Sequence, residues 1–553
     1  MKKFISGILV LCLTATVFLT GCTQQASSSG QANVAYKDPI EGVKATASTD
    51  KYRNYYEVFV NSFYDSNNDG TGDLNGLTQK LDYINDGNPN SGNDLGADGI
   101  WLMPIMSSPS YHKYDVTDYY NVDPAYGTLK DFDNLMSAAH KRGVKVILDL
   151  VINHCSSSLP LFKKACEELR NGDSTHDAKY FCFKQASVQP GGYKPVSGTD
   201  NWYYEANFGG EMPEWDLTQQ CTRDEFKKIM KFWLDRGVDG FRLDAVKYYN
   251  DTNITSESFL TWLYGTAKTL KSDIYMVGED WEGNAQISDN YKSGIDSLFN
   301  FPFSEVGGFY ISAVRSNSGF AVSKMKNWQE IFKKSNPNGI DANFLSNHDQ
   351  VRSASDLWEQ LSMEKAAAAL YMLFPGNSFT YYGEELGMTS ISTDASKRTP
   401  MIWSTKNTKG ITDLPPGVVD PNIPKAGSVE TQLADSQSLL NYYRRIIKIK
   451  DQNPGIARGT ITQVVDFGDI NIGAYINTYQ GKDMLIIHNL SSDTTKALKI
   501  TDKMIKNPKI IADLVGCGQI DDGSGKKTIP HITLDSDGTL HIPPYSTAIL
   551  ATK

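Results

Sequence analysis

The sequence lacks three features that would each point to a particular class of protein. None of its seven cysteines forms a Cys-x-x-Cys pair, which argues against a zinc site. It has no stripe of basic residues and carries a formal net charge of −10, which argue against a nucleic-acid partner. The apolar run from Phe4 to Leu19 is short for a helix that crosses a membrane.

This apolar run instead has the form of a secretory signal. Lys2 and Lys3 precede it, and Leu-Thr-Gly-Cys, ending at Cys22, closes it. The ending resembles a bacterial lipobox, whose cysteine becomes the lipidated first residue of the mature chain. We predict a lipoprotein signal peptide over 1–22, lipidation of Cys22, and a linker over 23–49 rich in Gln, Ser, Gly and Ala near its start. The alternative is a buried N-terminal helix.

These features predict a monomer on the extracellular face of a bacterial membrane, with the lipid anchor as its only membrane contact. Five cysteines remain after Cys12 and Cys22, and an odd number leaves at least one thiol unpaired within the chain. Four of them lie between 155 and 221, where one or two disulfides fit without a defined pairing. These five are Cys155, Cys166, Cys182, Cys221 and Cys517.

Short apolar segments alternate with helical patterns from about residue 50 onward. This alternation predicts parallel βαβ units. Eight candidate strands favour a (β/α)8 TIM barrel, although a doubly wound sheet shows the same alternation. The candidate strands are 56–63, 99–104, 144–151, 240–246, 275–278, 297–300, 342–346 and 378–382.

Two further regions depart from this alternation. Residues 155–221, which follow strand 3, are rich in Gly, Ser, Cys and aromatic residues and predict an inserted subdomain B. From 455 to 553 the apolar residues alternate between turns, which predicts a C-terminal antiparallel β-sandwich. The 553-residue chain is too long for one compact unit, and we assign the catalytic barrel to 50–154 and 222–454.

Polar residues follow several of the predicted strands, at the end of a barrel where catalytic side chains lie. Three carboxylates with histidine and arginine suit glycosidic cleavage, which needs a protonated acid and a second, ionised carboxylate. Repulsion between close carboxylates keeps one protonated, and an arginine keeps the other ionised. A metal-dependent hydrolase would gather its histidines more closely. The residues are His154 after strand 3, Arg242 and Asp244 at the end of strand 4, Glu279 after strand 5, and His348 and Asp349 after strand 7.

Four motifs in this order resemble those of the α-amylase family of glycoside hydrolases. They are DLVINH (149–154), GFRLDAV (240–246), VGE (277–279) and FLSNHD (344–349). Supporting segments are GADGIWLMPI (96–105), HKYDVTDYY (112–120) and YYGEELGM (381–388). Each motif alone is weak, but the ordered set is specific and extends over roughly 52–450.

The resemblance implies a role for each matching residue. It makes Asp244 the nucleophile, Glu279 the general acid and then base, and Asp349 the carboxylate that binds sugar hydroxyls and distorts the ring. Retention follows, with the carboxyls of Asp244 and Glu279 roughly 5–5.5 Å apart. The expected substrate-binding residues are Tyr114, Asp149, His154, Arg242, Lys247, His348 and Arg398. Two of them have an alternative: Asp149 as a buried structural acid, and Arg398 as a surface arginine.

A second group of oxygen-bearing residues follows the first predicted strand. Asp65, Asn67, Asp69, Thr71 and Asp73 have the spacing that opens an EF-hand loop, with Gly70 at its sixth position. Position 12 is Gly76 and a strand precedes the loop, so this is not an EF-hand. Many α-amylase relatives hold one structural Ca²⁺ with this spacing, which is what we expect here. The alternative is an acidic turn without a metal.

The sequence departs from the family at the position four residues after Asp244. Most α-amylases have a histidine there, and this chain has Tyr248, which puts a second calcium near Asn153 in doubt. Glu214 and Trp215 fit neither the usual α-amylase motif nor that of oligo-1,6-glucosidases. Trp202, Trp215 and Trp281 are either sugar-stacking platforms or core residues.

The resemblance implies a retaining α-glucan hydrolase that cleaves α-1,4 bonds within starch or maltodextrins. One alternative is an α-glucosidase or neopullulanase-like enzyme that acts on short or branched oligosaccharides. Another is an inactive glycan-binding surface lipoprotein. The presence of all three acids argues against the inactive form.

Overall fold

The structure is a computed structural model that describes residues 40, 42–251, 253–521 and 527–552. The predicted signal peptide, Cys22 and most of the predicted linker lie outside the described residues. Among the residues that are described, no helix combines the length and apolarity needed to cross a bilayer.

Eight parallel strands form the central sheet, in the order β6-β5-β4-β3-β2-β1-β8-β7. A parallel bridge between Phe299 and Ala342 joins the two end strands and closes the sheet. This confirms the predicted (β/α)8 barrel. The strands are β1 (Asn54–Val58), β2 (Gly99–Leu102), β3 (Lys145–Leu150), β4 (Gly240–Leu243), β5 (Tyr275–Gly278), β6 (Ser297–Leu298), β7 (Ala342–Phe344) and β8 (Asn377–Tyr381).

Aromatic side chains fill the interior of the barrel. Tyr55 stacks on Phe379 with ring centroids 4.7 Å apart, and Phe299 contacts Phe379 at 4.8 Å. These rings pack with Trp101 and Phe344 into one buried cluster. Because side chains fill the interior, no substrate enters the barrel itself, and active sites of this fold lie at its carboxyl rim.

Several strands end earlier than their apolar runs predict. Strand β1 ends at Val58, since the chain turns through a 3-10 helix over Val60–Ser62. Strand β4 ends at Leu243, and Ala245 takes the left-handed conformation with φ 53°. The turn therefore begins next to Asp244, where the backbone leaves the barrel wall.

Helices form a ring outside the sheet, and their apolar faces pack against it. The helix Leu129–Lys141 begins at a capping box in which Thr128 and Asp131 satisfy each other's backbone N–H groups. Its residues Phe132, Leu135 and Ala139 are buried. The other helices of ten residues or more in the barrel are Gln220–Asp235, Ser256–Leu270, Ala321–Ser335, Leu361–Leu373 and Leu439–Gln452.

The chain between β3 and the barrel helix Gln220–Asp235 contains one α-helix, one 3-10 helix and a small antiparallel sheet. The α-helix is Pro160–Arg170, and the strands are Phe183–Gln185, Tyr193–Pro195 and Trp202–Glu205. Trp215 is 3% exposed and stacks on Phe181, so it is a core residue of this region. The five cysteines of the described residues are all free thiols.

The C-terminal region consists of two main antiparallel sheets around one apolar cluster. The larger sheet contains Thr460–Val464, Ile472–Tyr479, Lys482–Asn489, Ser546–Thr552 and Pro508–Leu514, and the smaller contains Lys496–Lys499, Thr539–Ile542 and Thr533–Leu534. Ile487, Leu498 and Leu540 belong to the cluster between them. This confirms the predicted antiparallel β-domain after the barrel.

Candidate active site

A cleft of about 410 Å³ opens at the carboxyl rim of the barrel. Its volume lies within the range of small-molecule binding sites. The three predicted catalytic acids and four of the seven predicted substrate-binding residues lie in its wall. The lining residues are His112, Tyr114, His154, Phe208, Met212, Asp244, Ala245, Lys247, Tyr248, Glu279, Trp281, Asp349, Asp394 and Arg398.

The guanidinium of Arg242 joins two of the acids. Its Nη1 lies 2.7 Å from Oδ1 of Asp244, and its Nη2 lies 3.0 Å from Oε2 of Glu279. Strand alternation sends positions 242 and 244 to the same side of β4, toward the barrel interior. One buried cation therefore holds both carboxyl groups at the floor of the cleft.

The two acids differ in their affinity for a proton. Burial raises the pKa of Asp244 to about 6, although Arg242 opposes this shift. Burial raises the pKa of Glu279 to about 7, again against Arg242, and the nearby Asp244 raises it further. Between these two values Asp244 is mainly ionised and Glu279 mainly protonated.

Asp349 is held ionised by two cationic groups. Its Oδ1 lies 2.9 Å from Nη2 of Arg398, and its Oδ2 lies 3.1 Å from Nε2 of His348. Burial alone would raise its pKa, but His348 and Arg398 bring it well below the usual range. The pKa of His348 is raised to about 9, because Asp349 and Glu57 outweigh the effect of burial.

Asp149, Arg242 and His348 were predicted to contact the substrate, but they lie beneath the residues that line the cleft. Their side chains have 0% exposure. Both oxygens of Asp149 accept from Nη1 of Arg242, at 2.8 and 3.0 Å, and Oδ2 also accepts from the Tyr114 hydroxyl at 2.9 Å. These residues position the groups that line the cleft. The alternative of Asp149 as a buried structural acid fits its place.

His154 presents two free nitrogens in the cleft wall. Neither ring nitrogen has a hydrogen-bond partner within the described part of the chain. Burial, with a smaller effect of His112, lowers the pKa of His154 to about 3, so the ring is neutral. Phe208 packs against the ring with centroids 4.7 Å apart. A neutral imidazole that lines the cleft is suited to hydrogen bonds with sugar hydroxyls.

Several residues line or support the cleft without a prediction from the sequence, among them Glu57, Phe208 and Asp394. Glu57 on β1 accepts from Nδ1 of His348 at 2.5 Å, and it is a lone acid in a fully buried strand. A lone acid in an apolar strand could have been predicted from the sequence as a residue of the site. Phe208 reaches the cleft from the inserted region, and Asp394 comes from the loop after β8. Nothing local marks these two, because their position depends on long-range packing.

Tyr248, where the chain departs from the family motif, extends the cleft wall. It is 36% exposed, and its ring meets that of Phe208 at 4.9 Å. Asn153 is 2% exposed, and its Nδ2 has no partner among the described residues. The structure thus assigns Tyr248 to the aromatic wall of the cleft.

The predicted calcium loop is a series of turns in which side-chain oxygens accept backbone N–H groups. Asp65 accepts from Asn67, Asn68 and Gly70 at 2.7–3.0 Å. Asp73 accepts from Ser66 and from Gly76 at 2.8 Å, and it caps the helix Leu74–Gln79. The donors are all oxygen, which fits a hard cation.

The carboxylate oxygens of this loop do not all lie as close together as the ligand atoms of one other group in the described part of the chain. Within those residues, three acidic or histidine ligand atoms within 4.8 Å of one another occur only at Glu168, Asp173 and His176. In the loop, the Asn67 amide and the Thr71 carbonyl would therefore have to complete the ligand set. None of the five loop residues lines the catalytic cleft.

Comparison with known proteins gives one consistent result. A family model described as the α-amylase catalytic domain matches residues 57–459. "Alpha-amylase 3" of Dictyoglomus thermophilum is 36% identical over 450 residues, which cover 80% of this chain and 85% of that protein.

Two solved structures agree with this match. Eubacterium rectale Amy13B superposes with a TM-score of 0.84 and 39% identity, covering 92% of this chain and 97% of that one. An α-amylase from H. orenii superposes with a TM-score of 0.80 and 33% identity, covering 91% of this chain and 100% of that one. The similarity therefore includes the regions outside the barrel.

Proposed function

The chain belongs to the α-amylase family of glycoside hydrolases, and from this premise we propose that it cleaves α-1,4 bonds within starch and maltodextrins. The observation that carries the proposal is the Arg242 guanidinium, which holds Asp244 at 2.7 Å and Glu279 at 3.0 Å. Two carboxyls on one cation support the closely spaced pair that a covalent glycosyl intermediate and retention require.

Asp244 acts as the nucleophile. Arg242 takes up one of its oxygens, so the ionised carboxylate is held toward the anomeric carbon of the sugar bound in the cleft. Attack forms a bond between this carboxylate and the anomeric carbon, and the bond to the leaving sugar breaks. Water later releases the sugar from Asp244.

Glu279 supplies the proton to the leaving oxygen. Its Oε2 accepts from the N–H of Ala245 at 2.8 Å and lies 3.0 Å from Nη2 of Arg242. The Ala245 N–H bond and the nearby charge of Arg242 both disfavour a proton on Oε2, so Oε1 carries the proton of the neutral acid. After the leaving group departs, the same oxygen takes a proton from the attacking water.

Asp349 acts through its charge. The carboxylate stays ionised between His348 and Arg398, and a negative charge at this point stabilises the oxocarbenium-like transition state. Tyr114 and His154 complete the wall around the reacting sugar. Tyr114 is fixed by its hydrogen bonds to Asp149 and His348 at 2.9 and 2.7 Å.

The shape of the rim supports cleavage inside a chain. At one end of the cleft, Arg398 pairs with Asp394 at 3.0 Å, and the Asp394 side chain is 52% exposed. An exposed side chain at the rim is consistent with a sugar chain that extends beyond the cleft. Phe208 and Tyr248, at 39% and 36% exposure, provide further apolar surface along the cleft.

Product analysis tests this proposal. The enzyme is incubated with soluble starch, maltotriose and pullulan, and the products are separated by length. Endo-cleavage predicts a rapid loss of starch viscosity with mixed maltodextrins as early products. Glucose alone, released from chain ends, would contradict it in favour of an α-glucosidase. Cleavage of pullulan with little action on starch would favour a neopullulanase-like enzyme.

We further propose that the loop after β1 holds one structural Ca²⁺. Asp65, Asn67, Asp69, the Thr71 carbonyl and Asp73 would hold it, and all of these donors are oxygen. When bound, the ion would neutralise the acids of the loop and stabilise its turns. It supplies no step of the reaction, since these residues lie outside the cleft lining.

We also propose that Cys22 anchors the protein to the outer face of a bacterial membrane. The proposal rests on the sequence of residues 2–22 alone. Expression in a bacterial host, followed by separation of membrane and soluble fractions, tests it. The intact chain is expected in the membrane fraction and Cys22→Ala in the soluble fraction. If the intact chain and Cys22→Ala were distributed between the two fractions in the same way, the lipid anchor would be contradicted.

A further inference from the structure

An exposed tryptophan lies on the catalytic rim outside the cleft lining. Trp358 follows the short helix Ser353–Asp356, which comes after β7 on the same rim as Asp349. Its side chain is 52% exposed, which is high for so large an apolar residue. No step of the proposed reaction uses it.

The backbone at Trp358 is in a conformation that suits glycine. Trp358 has φ 56° and Glu359 has φ 52°. Their N–H groups donate to the carbonyls of Ser355 at 3.1 Å and Ala354 at 2.8 Å, as at a helix C-terminus that normally ends in glycine. A bulky L-residue costs free energy here. Strain of this kind often marks a functional position.

Arg315 lies over the Trp358 ring, and about half of Trp358 stays exposed. The guanidinium carbon of Arg315 lies 4.5 Å from the ring centroid, and Arg315 is the last residue of the helix Phe309–Arg315. This cation–π contact orients the ring without covering it. A rigid aromatic face that is open to solvent suits the apolar C–H face of a sugar ring.

Polar residues connect Trp358 to the cleft. Trp281 lines the cleft and stacks on Phe301 with ring centroids 4.8 Å apart. Further along this segment, the Glu305 N–H donates to the Leu345 carbonyl at 3.0 Å, directly after β7, and Arg315 lies against Trp358. The chain from Phe301 to Arg315 therefore runs from one tryptophan to the other, and Glu305 and Arg315 on it are polar groups that can bind hydroxyls. Trp281 lies two residues after Glu279, the acid that faces the leaving sugar.

We propose that Trp358 is a stacking platform for glucose units on the leaving-group side of the cut. It would favour long α-glucan chains over short oligosaccharides, and in this respect it rests on the proposed function. Trp281 contacts the first of these units, and Trp358 contacts a unit further along the chain.

Kinetics on substrates of two lengths test the inference. kcat/KM is measured on amylose and on maltotriose for the wild type, Trp358→Ala and Trp358→Phe, with Ile470→Ala as the control for loss of an exposed apolar side chain. The ratio of amylose to maltotriose activity is expected to fall about fivefold to tenfold in Trp358→Ala, as for loss of one stacking contact. Trp358→Phe keeps most of the ratio, and Ile470→Ala leaves it unchanged.

A further variant separates binding from structure. Trp358→Gly relieves the left-handed backbone, so it should lose the preference for amylose without a lower melting temperature. An unchanged ratio in Trp358→Ala overturns the inference and leaves the proposed function intact. Equal losses on both substrates, with a lower melting temperature in Trp358→Ala and Trp358→Gly, would make Trp358 a structural residue. A wild type that cleaves neither substrate contradicts the proposed function and this inference with it.

Discussion

The two ends of the barrel both carry buried acids, but these acids bind different partners. At the amino end, Asp98, Asp239 and Asp296 come directly before β2, β4 and β6. Each accepts a backbone N–H from a neighbouring strand, at 2.9 to 3.0 Å, and each pairs with a basic side chain. At the carboxyl end, Asp244 and Glu279 share Arg242 and leave oxygens free for a ligand.

Whether an acid stabilises the barrel or takes part in catalysis depends on the end of the strand at which it lies and on the groups around it. Acids at the amino end bridge adjacent strands and are satisfied by their own cations, so they stabilise the barrel. Asp244 and Glu279 at the carboxyl end share one cation, and burial raises the pKa values of both carboxyl groups, which makes proton transfer available. Substitutions at the two ends should therefore affect different measurements.

The largest expected effect is that of Asp244→Asn. Loss of the nucleophile should lower kcat by about a thousandfold or more, and the melting temperature should not fall, because a buried charge is removed. Activity on starch and thermal unfolding are measured side by side, with Asp537→Asn as the control at an exposed aspartate of the C-terminal domain that pairs with Lys499. Substantial turnover by Asp244→Asn would mean that another residue is the nucleophile.

Asp239→Asn should give the opposite result at the other end. Asp239 binds Lys145 at 2.9 Å, His140 at 2.8 Å and the Val146 N–H at 3.0 Å. Loss of this carboxylate should lower the free energy of unfolding by about 2 kcal/mol, with kcat of the folded enzyme unchanged. Melting temperature and kcat are measured for this variant.

Asp235→Asn serves as the control for Asp239→Asn, since Asp235 forms an exposed pair with Lys231.

The stabilisation by the Asp239 carboxylate should depend on pH. Burial raises the pKa of Asp239, but His140, Val146 and Lys145 together bring it below the usual range. The stabilisation is present above the unfolded pKa of about 4 and is lost as the pH falls. The melting temperatures of the wild type and Asp239→Asn should therefore converge in acid. A constant difference would contradict the ion-pair account.

The pH profile of kcat/KM should be a narrow bell. Activity rises as Asp244 ionises near pH 6 and falls as Glu279 loses its proton near pH 7. The two limbs belong to the coupled pair of acids. Glu279→Gln, assayed on an aryl glycoside whose leaving group needs no proton, should lose the falling limb. A falling limb that persists in this variant would assign it to another group.

The smallest expected effect on activity concerns the loop after β1. Removal of Ca²⁺ by a chelator should lower the melting temperature by a few degrees, since an ion at a hundredfold excess over its Kd contributes about 2.7 kcal/mol. The kcat of the folded enzyme should not change. Asp65→Asn should melt at the chelated temperature with or without Ca²⁺. Identical melting curves for the wild type with and without chelator, and no Ca²⁺ in the purified protein, would refute the site.

The barrel was predictable because its strands are short apolar runs that alternate with helices. Strand alternation also predicts that Arg242 and Asp244 share a side of β4. The depth of a residue was not predictable in this way. Asp149 and His348 follow the same pattern as the lining residues, yet aromatic packing by Tyr114 and Trp101 places them beneath the cleft.

Other parts of the site depend on contacts between distant segments. Phe208 reaches His154 only because the inserted region folds back over β3, and no local pattern encodes that approach. The predicted strands extend too far along the chain where apolar residues continue into a turn, as they do after Val58 and Leu243. Apolar character reports burial and does not distinguish a strand from a buried turn.

The stereochemistry of the first product tests the central claim most directly. Proton NMR spectra are recorded on a starch digest during the first minutes, before the free anomers equilibrate. Asp244 and Glu279 bound to one guanidinium predict that the new reducing ends appear first as the α-anomer. Initial release of the β-anomer would mean direct attack by water, and would contradict the assignment of Asp244 as the nucleophile.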